Sequence, residues 1–253
     1  MSDEIDRLIE VHGHARVLEA LLPCLSDDRI ARIDEVLDAR LDSVTAIVED
    51  VYDPHNAAAA IRSCEGLGVH TLHVVEREHT FAASKGVTIG GHRWMQLARW
   101  PQVADCAAAL RARGYTVWGT LPGAAQSIET IDVSRPVAVV FGNERVGMSE
   151  EAIAACDGAV GIPMFGMSQS FNLSVSVALV MNRLTTRRRA LLGAVGDLPA
   201  EVKDRLRARW VALKIRGAAS IVERAVSAAT RPDVALGPQS GENSRETVEL
   251  DES

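Results

Sequence analysis

Three short stretches of this chain gather side chains able to hold a ligand or assist a reaction, each where a strand-like run gives way to a turn. In DPHNAAAAIRSCEGLG (53–68), Asn56 sits at a helix start and Arg62 follows nearly two turns later. Taken alone, the first reads more simply as a helix cap and the second as a surface residue. In VVFGNERVGMSEE (139–151), a buried strand runs into Gly142, Asn143, Glu144 and Gly147. Glycine lets backbone approach a ligand closely, and turns at the carboxyl ends of parallel strands are where α/β sheets bind ligands. In GIPMFGMSQSFNLSVSVALVMNRL (161–184), Ser170, Phe171 and Asn172 open a helix. The free amides of a helix start make a polar pocket floor there, although an ordinary capped loop has the same composition. Met164, Phe165, Met167 and Phe171 add apolar surface suited to a flat ring and a thioether. A Walker GKS or GKT is missing and no GxGxxG follows the first strand, so triphosphate and dinucleotide chemistry are disfavoured.

The elements that must position these groups alternate as in an α/β sheet with mainly parallel strands. Helical spacing of apolar residues up to about Arg40, interrupted at Pro23 and Ser26, predicts a helical opening. Strands are expected at Val44–Val48, Val69–Val75, Met95–Ala98, Tyr115–Thr120, Val137–Phe141 and Ala159–Ile162. Helices are expected at Pro54–Leu67, Pro101–Arg113, from Ser149, at Phe171–Arg189 and at Pro199–Thr230. The corresponding division is an N-terminal helical extension (1–43), a main domain (44–192), a basic helical extension (193–232) and an acidic, disordered tail (233–253).

The chain has 253 residues, 47% of them hydrophobic, enough for one sizeable core. No run of about 18 apolar residues and no signal-peptide pattern occurs, which predicts a cytoplasmic protein with no membrane partner. Cys24, Cys64, Cys106 and Cys156 form no CxxC pair, so buried reduced thiols are expected. His70 and His73 lie three apart in a strand and point to opposite faces; His12 and His14 diverge similarly, and no metal is expected. The net charge of −7 is strongly segregated. Residues 1–53 carry 5 basic and 14 acidic side chains, whereas residues 183–216 carry 10 basic and 3 acidic ones. That basic stretch suits phosphates, or equally a solvated helix face.

Together, HNAAAAIRSCEGLGV, FGNERVG and IPMFGMSQSFNLSVSVAL resemble the three signature motifs of the SPOUT RNA 2'-O-methyltransferases, over about residues 30–215. RIARIDEVLDARL, ASKGVTIGGHRWMQL and the basic helices after the third motif resemble the TrmH type, which methylates a guanosine in the tRNA D-loop. Phe171 stands where leucine is usual, and about 25 residues are added at the start. The resemblance implies a SPOUT fold with a C-terminal deep trefoil knot, a homodimer, and S-adenosylmethionine bound around Thr120, Leu121, Gly142, Ile162, Met164 and Phe171. It also implies catalytic and RNA-facing roles for Asn56, Arg62, Glu144, Ser170 and Asn172.

On that basis Arg62 is expected to orient the 2'-hydroxyl and stabilise the developing alkoxide, because a guanidinium titrating near 12.5 or above is a poor base. Arg187, Arg188, Arg189, Lys203 and Arg207 are expected to grip tRNA, with guanosine 18 as the target. The same motifs serve methyltransferases of ribosomal RNA, and a catalytically silent RNA-binding homologue would share them; too few residues precede Val44 for a separate RNA-binding domain, which favours tRNA.

Overall fold

A computed structural model describes residues 2–81 and 90–229. Strand β1 (Val44–Glu49) is buried along its whole length, as are β2 (Thr71–Val75) and β6 (Val137–Phe141). Strands buried on both sides in this way need helices on both faces of the sheet. With β3 (Gln96–Trp100), β4 (Thr116–Thr120), β5 (Gln126–Ser127) and β7 (Gly158–Gly161) they form a parallel seven-stranded sheet ordered β3-β2-β1-β6-β4-β7-β5. The order reverses around β1, β6 and β4, so the carboxyl ends of those strands border the crevice where open α/β sheets take ligands. The α/β class and parallel sheet agree with the sequence reading. Strand β5 is an addition to it, since two residues are too few to carry a period.

Helices α4 (Pro54–Gly66) and α7 (Leu173–Leu192) pack together on one face of the sheet, joining Ala57, Ile61, Val177 and Met181 to strand residues such as Ala46 and Val139. Helices α5 (Val103–Ala112) and α6 (Glu150–Ala154) cover the other face through Cys106, Leu110 and Ala152. A separate apolar cluster unites α1 (Ser2–His12), α2 (His14–Leu21) and α3 (Asp27–Asp38) with α8 (Ala200–Lys214) and α9 (Ala218–Ala229). The first and last helices among the described residues thus share one core, built from Leu8, Val17, Leu21, Leu37, Trp210 and Val211 among others. Arg40 binds this layer to the sheet. Fully buried, it donates to the carbonyls of Glu65 and Val69 and pairs with the Glu65 carboxylate at 2.8 Å, with Trp210 5.3 Å away.

The sequence predicts one long helix over Pro199–Thr230; the structure has two. Ile215 is extended and Gly217 adopts φ +73°, a left-handed turn that frees α9 to fold back on α1 and α2. Of the expected buried thiols, Cys64 and Cys106 are buried, whereas Cys156 is half-buried and Cys24 is exposed. Burial pushes both buried thiols up to about 12, so neither is a nucleophile. His70 and His73 are both buried, and His73 accepts a hydrogen bond from the Trp100 indole at 2.9 Å. The acidic tail and most of ASKGVTIGG lie outside the described residues. No helix among the described residues is long and apolar enough to cross a membrane.

Candidate active site

Asp53, not Asn56, caps α4: its side chain accepts from the His55 amide, and Pro54 occupies the first turn. Asn56 is therefore free of that duty, and it is buried. Its Nδ2 donates to Glu144 Oε1 at 2.9 Å, while its Oδ1 accepts from Asn172 Nδ2 at 3.0 Å. Glu144 also accepts from the backbone amides of Tyr52 at 3.0 Å and Asp53 at 3.3 Å. Asn172 caps α7, its Oδ1 accepting from the Ser174 amide and hydroxyl.

This chain of hydrogen bonds has a direction. A carboxylate only accepts, so Glu144 forces Asn56 to present its NH2, which leaves the Asn56 oxygen to receive the Asn172 NH2. The Asn172 oxygen is then left for the helix cap. Residues far apart in sequence are locked into one orientation at the carboxyl ends of β1 and β6. The loop after β6 is fixed in the same way, with the Asn143 amide donating to the Asp50 carbonyl at 2.6 Å and its oxygen accepting from Arg145 N at 2.8 Å.

Most of the residues expected to hold a cofactor follow the ends of β4, β6 and β7, which are neighbours in the sheet, and Phe171 lies just before α7. Gly142 leaves no room for a side chain, since a Cβ there would stand 2.2 Å from Met148 N and 2.3 Å from Gly147 C. Ile162 and Met164 are half-buried, and Phe171 is partly exposed. Phe165 and Met167 are fully exposed, a costly arrangement for large apolar side chains unless something covers them. Two of the expected contacts are spent internally: the Thr120 hydroxyl donates to the Val140 carbonyl, and the Leu121 amide to that of Val160.

Two other expected site residues have no hydrogen-bond partner among the described residues. Ser170 is exposed and carries no hydrogen bond among the described residues. Arg62 is exposed and likewise unpartnered, six residues beyond Asn56 on α4 and so on a different side of the helix. Within one subunit no hydrogen bond joins it to the Asn56 network among the described residues. The expectation that Arg187, Arg188 and Arg189 grip phosphates needs correction. Arg187 donates to the carbonyls of Ile128 and Ile131. The buried Arg188 donates to Ser43 Oγ and the carbonyls of Val133 and Ser134, and Arg189 to those of Val195, Ala39 and Leu67. These guanidiniums tie α7 to the loops around it. Their carbonyl acceptors carry no sequence signature.

The basic helix α8 is paired with the acidic opening of the chain. Lys203 meets Asp38 at 2.7 Å, Arg205 meets Glu10 at 3.5 Å, Arg207 meets Asp34 at 2.6 Å and Arg209 meets Asp6 at 2.9 Å. Charges segregated along the sequence are brought together by folding. Residues missed by the sequence reading are Tyr52, whose amide helps hold Glu144, and Arg145, whose guanidinium lies 3.6 Å above the Tyr52 ring.

The parallel sheet and the three linked loops at its carboxyl end place the site where open α/β sheets bind ligands. Residues 43–182 match the SpoU rRNA Methylase family, and the chain belongs to that family. More particularly, it is 35% identical over 190 residues to the tRNA (guanosine(18)-2'-O)-methyltransferase of Thermus thermophilus, covering 74% of this chain and 97% of that one. The crystal structure of an A. aeolicus TrmH/SpoU tRNA modifying enzyme superposes with a TM-score of 0.68 at 26% identity, over 75% of this chain and 98% of that one. AviRb from Streptomyces viridochromogenes, a SpoU methyltransferase in complex with the cofactor AdoMet, gives 0.52 at 26% identity over 60% and 62% of the two chains.

Proposed function

We propose that the protein transfers a methyl group from S-adenosylmethionine to the ribose 2'-hydroxyl of guanosine 18 in tRNA. The observation carrying this is the directed chain from Glu144 through Asn56 to Asn172, which unites all three motif segments at the ligand-binding end of the sheet. Likeness to the T. thermophilus enzyme over nearly its whole length supports tRNA as substrate.

The residue types suit the cofactor: Ile162, Met164 and Phe171 supply apolar side chains for a ring and a thioether, and the tight Gly142 turn lets backbone come close. When bound there, the cofactor supplies an electrophilic methyl. Glu144, Asn56 and Asn172 hold the motif loops in register, so that positioning supplies most of the rate. Arg62 orients the 2'-hydroxyl and neutralises charge growing on its oxygen; Ser170 contributes from the third loop. Arg62 has no partner in one subunit, and a homodimer would give it one across the interface. Phe171, Val175 and Leu179, all partly exposed at four-residue spacing, suit such an interface. The family's trefoil knot would carry the chain from β7, near one sheet edge, back to α7 against α4.

For RNA, Lys203 and Arg207 remain candidates. Their ion pairs are partly solvated, and such pairs are worth up to about 1 kcal/mol, so phosphates compete with Asp38 and Asp34. The test is incubation of the protein with methyl-labelled S-adenosylmethionine and total tRNA, followed by mapping of the modified ribose. Label at guanosine 18 is expected. Label at another position of the tRNA, or none on tRNA while a parallel incubation with ribosomal RNA is labelled, would overturn the proposal.

A further inference from the structure

Directly beside the Glu144 network lies a layered group of rings and charge that the methyl-transfer scheme does not use. Tyr52 is 45% exposed, and its backbone amide donates to Glu144. The Arg145 guanidinium carbon sits 3.6 Å from the Tyr52 ring centroid, covering one face of the ring. His79 meets the same ring edge-on, with centroids 5.2 Å apart and planes at 85°. The imidazole is itself fixed, 2.9 Å from Asp50 Oδ2, and Asp50 also accepts from the amides of Arg77, Glu78 and His79.

Arg145 differs from Arg187, Arg188 and Arg189. Its side chain has no carboxylate or carbonyl partner among the described residues, and it is exposed. Stacking uses only the face of a guanidinium. The in-plane N–H edges stay free, and they match a phosphate in a bidentate manner. The outer face of the guanidinium stays free as well, and a nucleobase stacks on such a plane as readily as on an aromatic ring. The backbone beneath the stack is anchored, because Arg145 N donates to the side-chain Oδ1 of the buried Asn143. Val146, next in the chain, is 82% exposed and widens the same surface.

We infer that Tyr52 and Arg145 form a clamp for a nucleotide flanking the methylated guanosine, an unpaired base stacking on Arg145 while a phosphate oxygen accepts from its N–H edge. This rests on the proposed RNA methylation. The clamp adjoins Glu144 in sequence and in space, so it holds the strand next to the reacting ribose. It binds substrate and takes no part in proton or methyl transfer. Tyr52 is the positioning residue that keeps the guanidinium flat and facing outward.

The test compares Arg145→Ala, Arg145→Lys, Tyr52→Ala and Tyr52→Phe in the full-length protein. Readouts are steady-state methylation of tRNA, tRNA binding as a function of salt, and S-adenosylmethionine binding by calorimetry. Arg145→Ala is expected to raise KM for tRNA roughly 5- to 100-fold, the loss of one stacked base, with kcat nearly unchanged. The slope of log affinity against log salt should fall by about one for the same variant. Arg145→Lys keeps the charge, so it should retain the slope while losing much of the stacking. Tyr52→Phe keeps the ring and should behave as wild type, whereas Tyr52→Ala should follow Arg145→Ala. Cofactor binding should be unchanged throughout. KM and salt slope for Arg145→Ala equal to wild type would overturn the clamp, as would loss of cofactor binding in step with KM, since that marks a purely structural loop contact. Wild-type protein that neither binds nor methylates tRNA would overturn the underlying reading, and is measured first.

Discussion

Replacing Asn56 by aspartate puts the directed hydrogen-bond chain under a specific stress. The substitution is isosteric, and a carboxylate at this position still accepts from Asn172 Nδ2, so that half of the chain survives. The other half inverts: an acceptor faces Glu144 Oε1 across the 2.9 Å that a donated hydrogen spans in the native protein. Two unit charges at that distance repel by about 6 kcal/mol at an effective dielectric of about 20. The pair escapes by retaining a proton. Holding it costs about 1.4 kcal/mol for each pH unit above the ordinary aspartate value near 3.9, hence about 4 kcal/mol at pH 7. Water around the half-buried Glu144 screens part of this, leaving about 2–4 kcal/mol.

The sign follows from linkage. The introduced carboxyl has a folded-state pKa raised above its unfolded value, so the deficit is absent below about pH 4 and grows as pH rises. Urea unfolding of wild type and Asn56→Asp at pH 5 and pH 8 should therefore diverge at the higher pH. Methyl transfer at pH 8 should fall about 100-fold, the loss typical of a site displaced by an ångström. A stability difference that stays within about 0.5 kcal/mol between the two pH values would refute the orientation assigned to Asn56.

Arg188→Ala should act on folding, with a loss of about 3–5 kcal/mol in urea unfolding, because it strands the buried Val133 carbonyl and removes three hydrogen bonds. The salt slope for tRNA should stay unchanged; a slope lowered by about one with intact stability would restore Arg188 to the RNA surface. Gly142→Ala forces a Cβ against the Met148 and Gly147 backbone, and overpacking of that kind costs about 1–3 kcal/mol. Thermal melting and calorimetry should show a lowered Tm and weakened cofactor binding, and unaltered binding would contradict the tight turn. Burial, with a smaller contribution from Arg113, lowers His73 to about 4, so it stays neutral in the folded protein while the unfolded chain protonates below about 6.5. Stability should then be fully present above that value and decline by about 3 kcal/mol as pH falls toward 4. In His73→Gln that decline should shrink, and an unaltered profile would argue against a neutral buried imidazole.

Several features were legible without coordinates because they depend on local chemistry. The continuous apolar run Val137–Phe141 marked a strand covered on both faces, and Ser149 followed by two glutamates marked a helix start. Asn56, Glu144 and Asn172 stood out through their motif spacing, and the fold links all three. Partner choice was not legible. A guanidinium reads the same on paper whether it meets phosphate or carbonyl, and only the packing of α7 against the 128–134 loop commits Arg187 and Arg188 to the chain's own backbone. Likewise, acidic residues 1–53 and basic residues 183–216 look independent in sequence. Their pairing across Asp38–Lys203 and Asp34–Arg207 exists because α3 and α8 share one apolar core, a contact spanning more than 160 positions that no local pattern encodes.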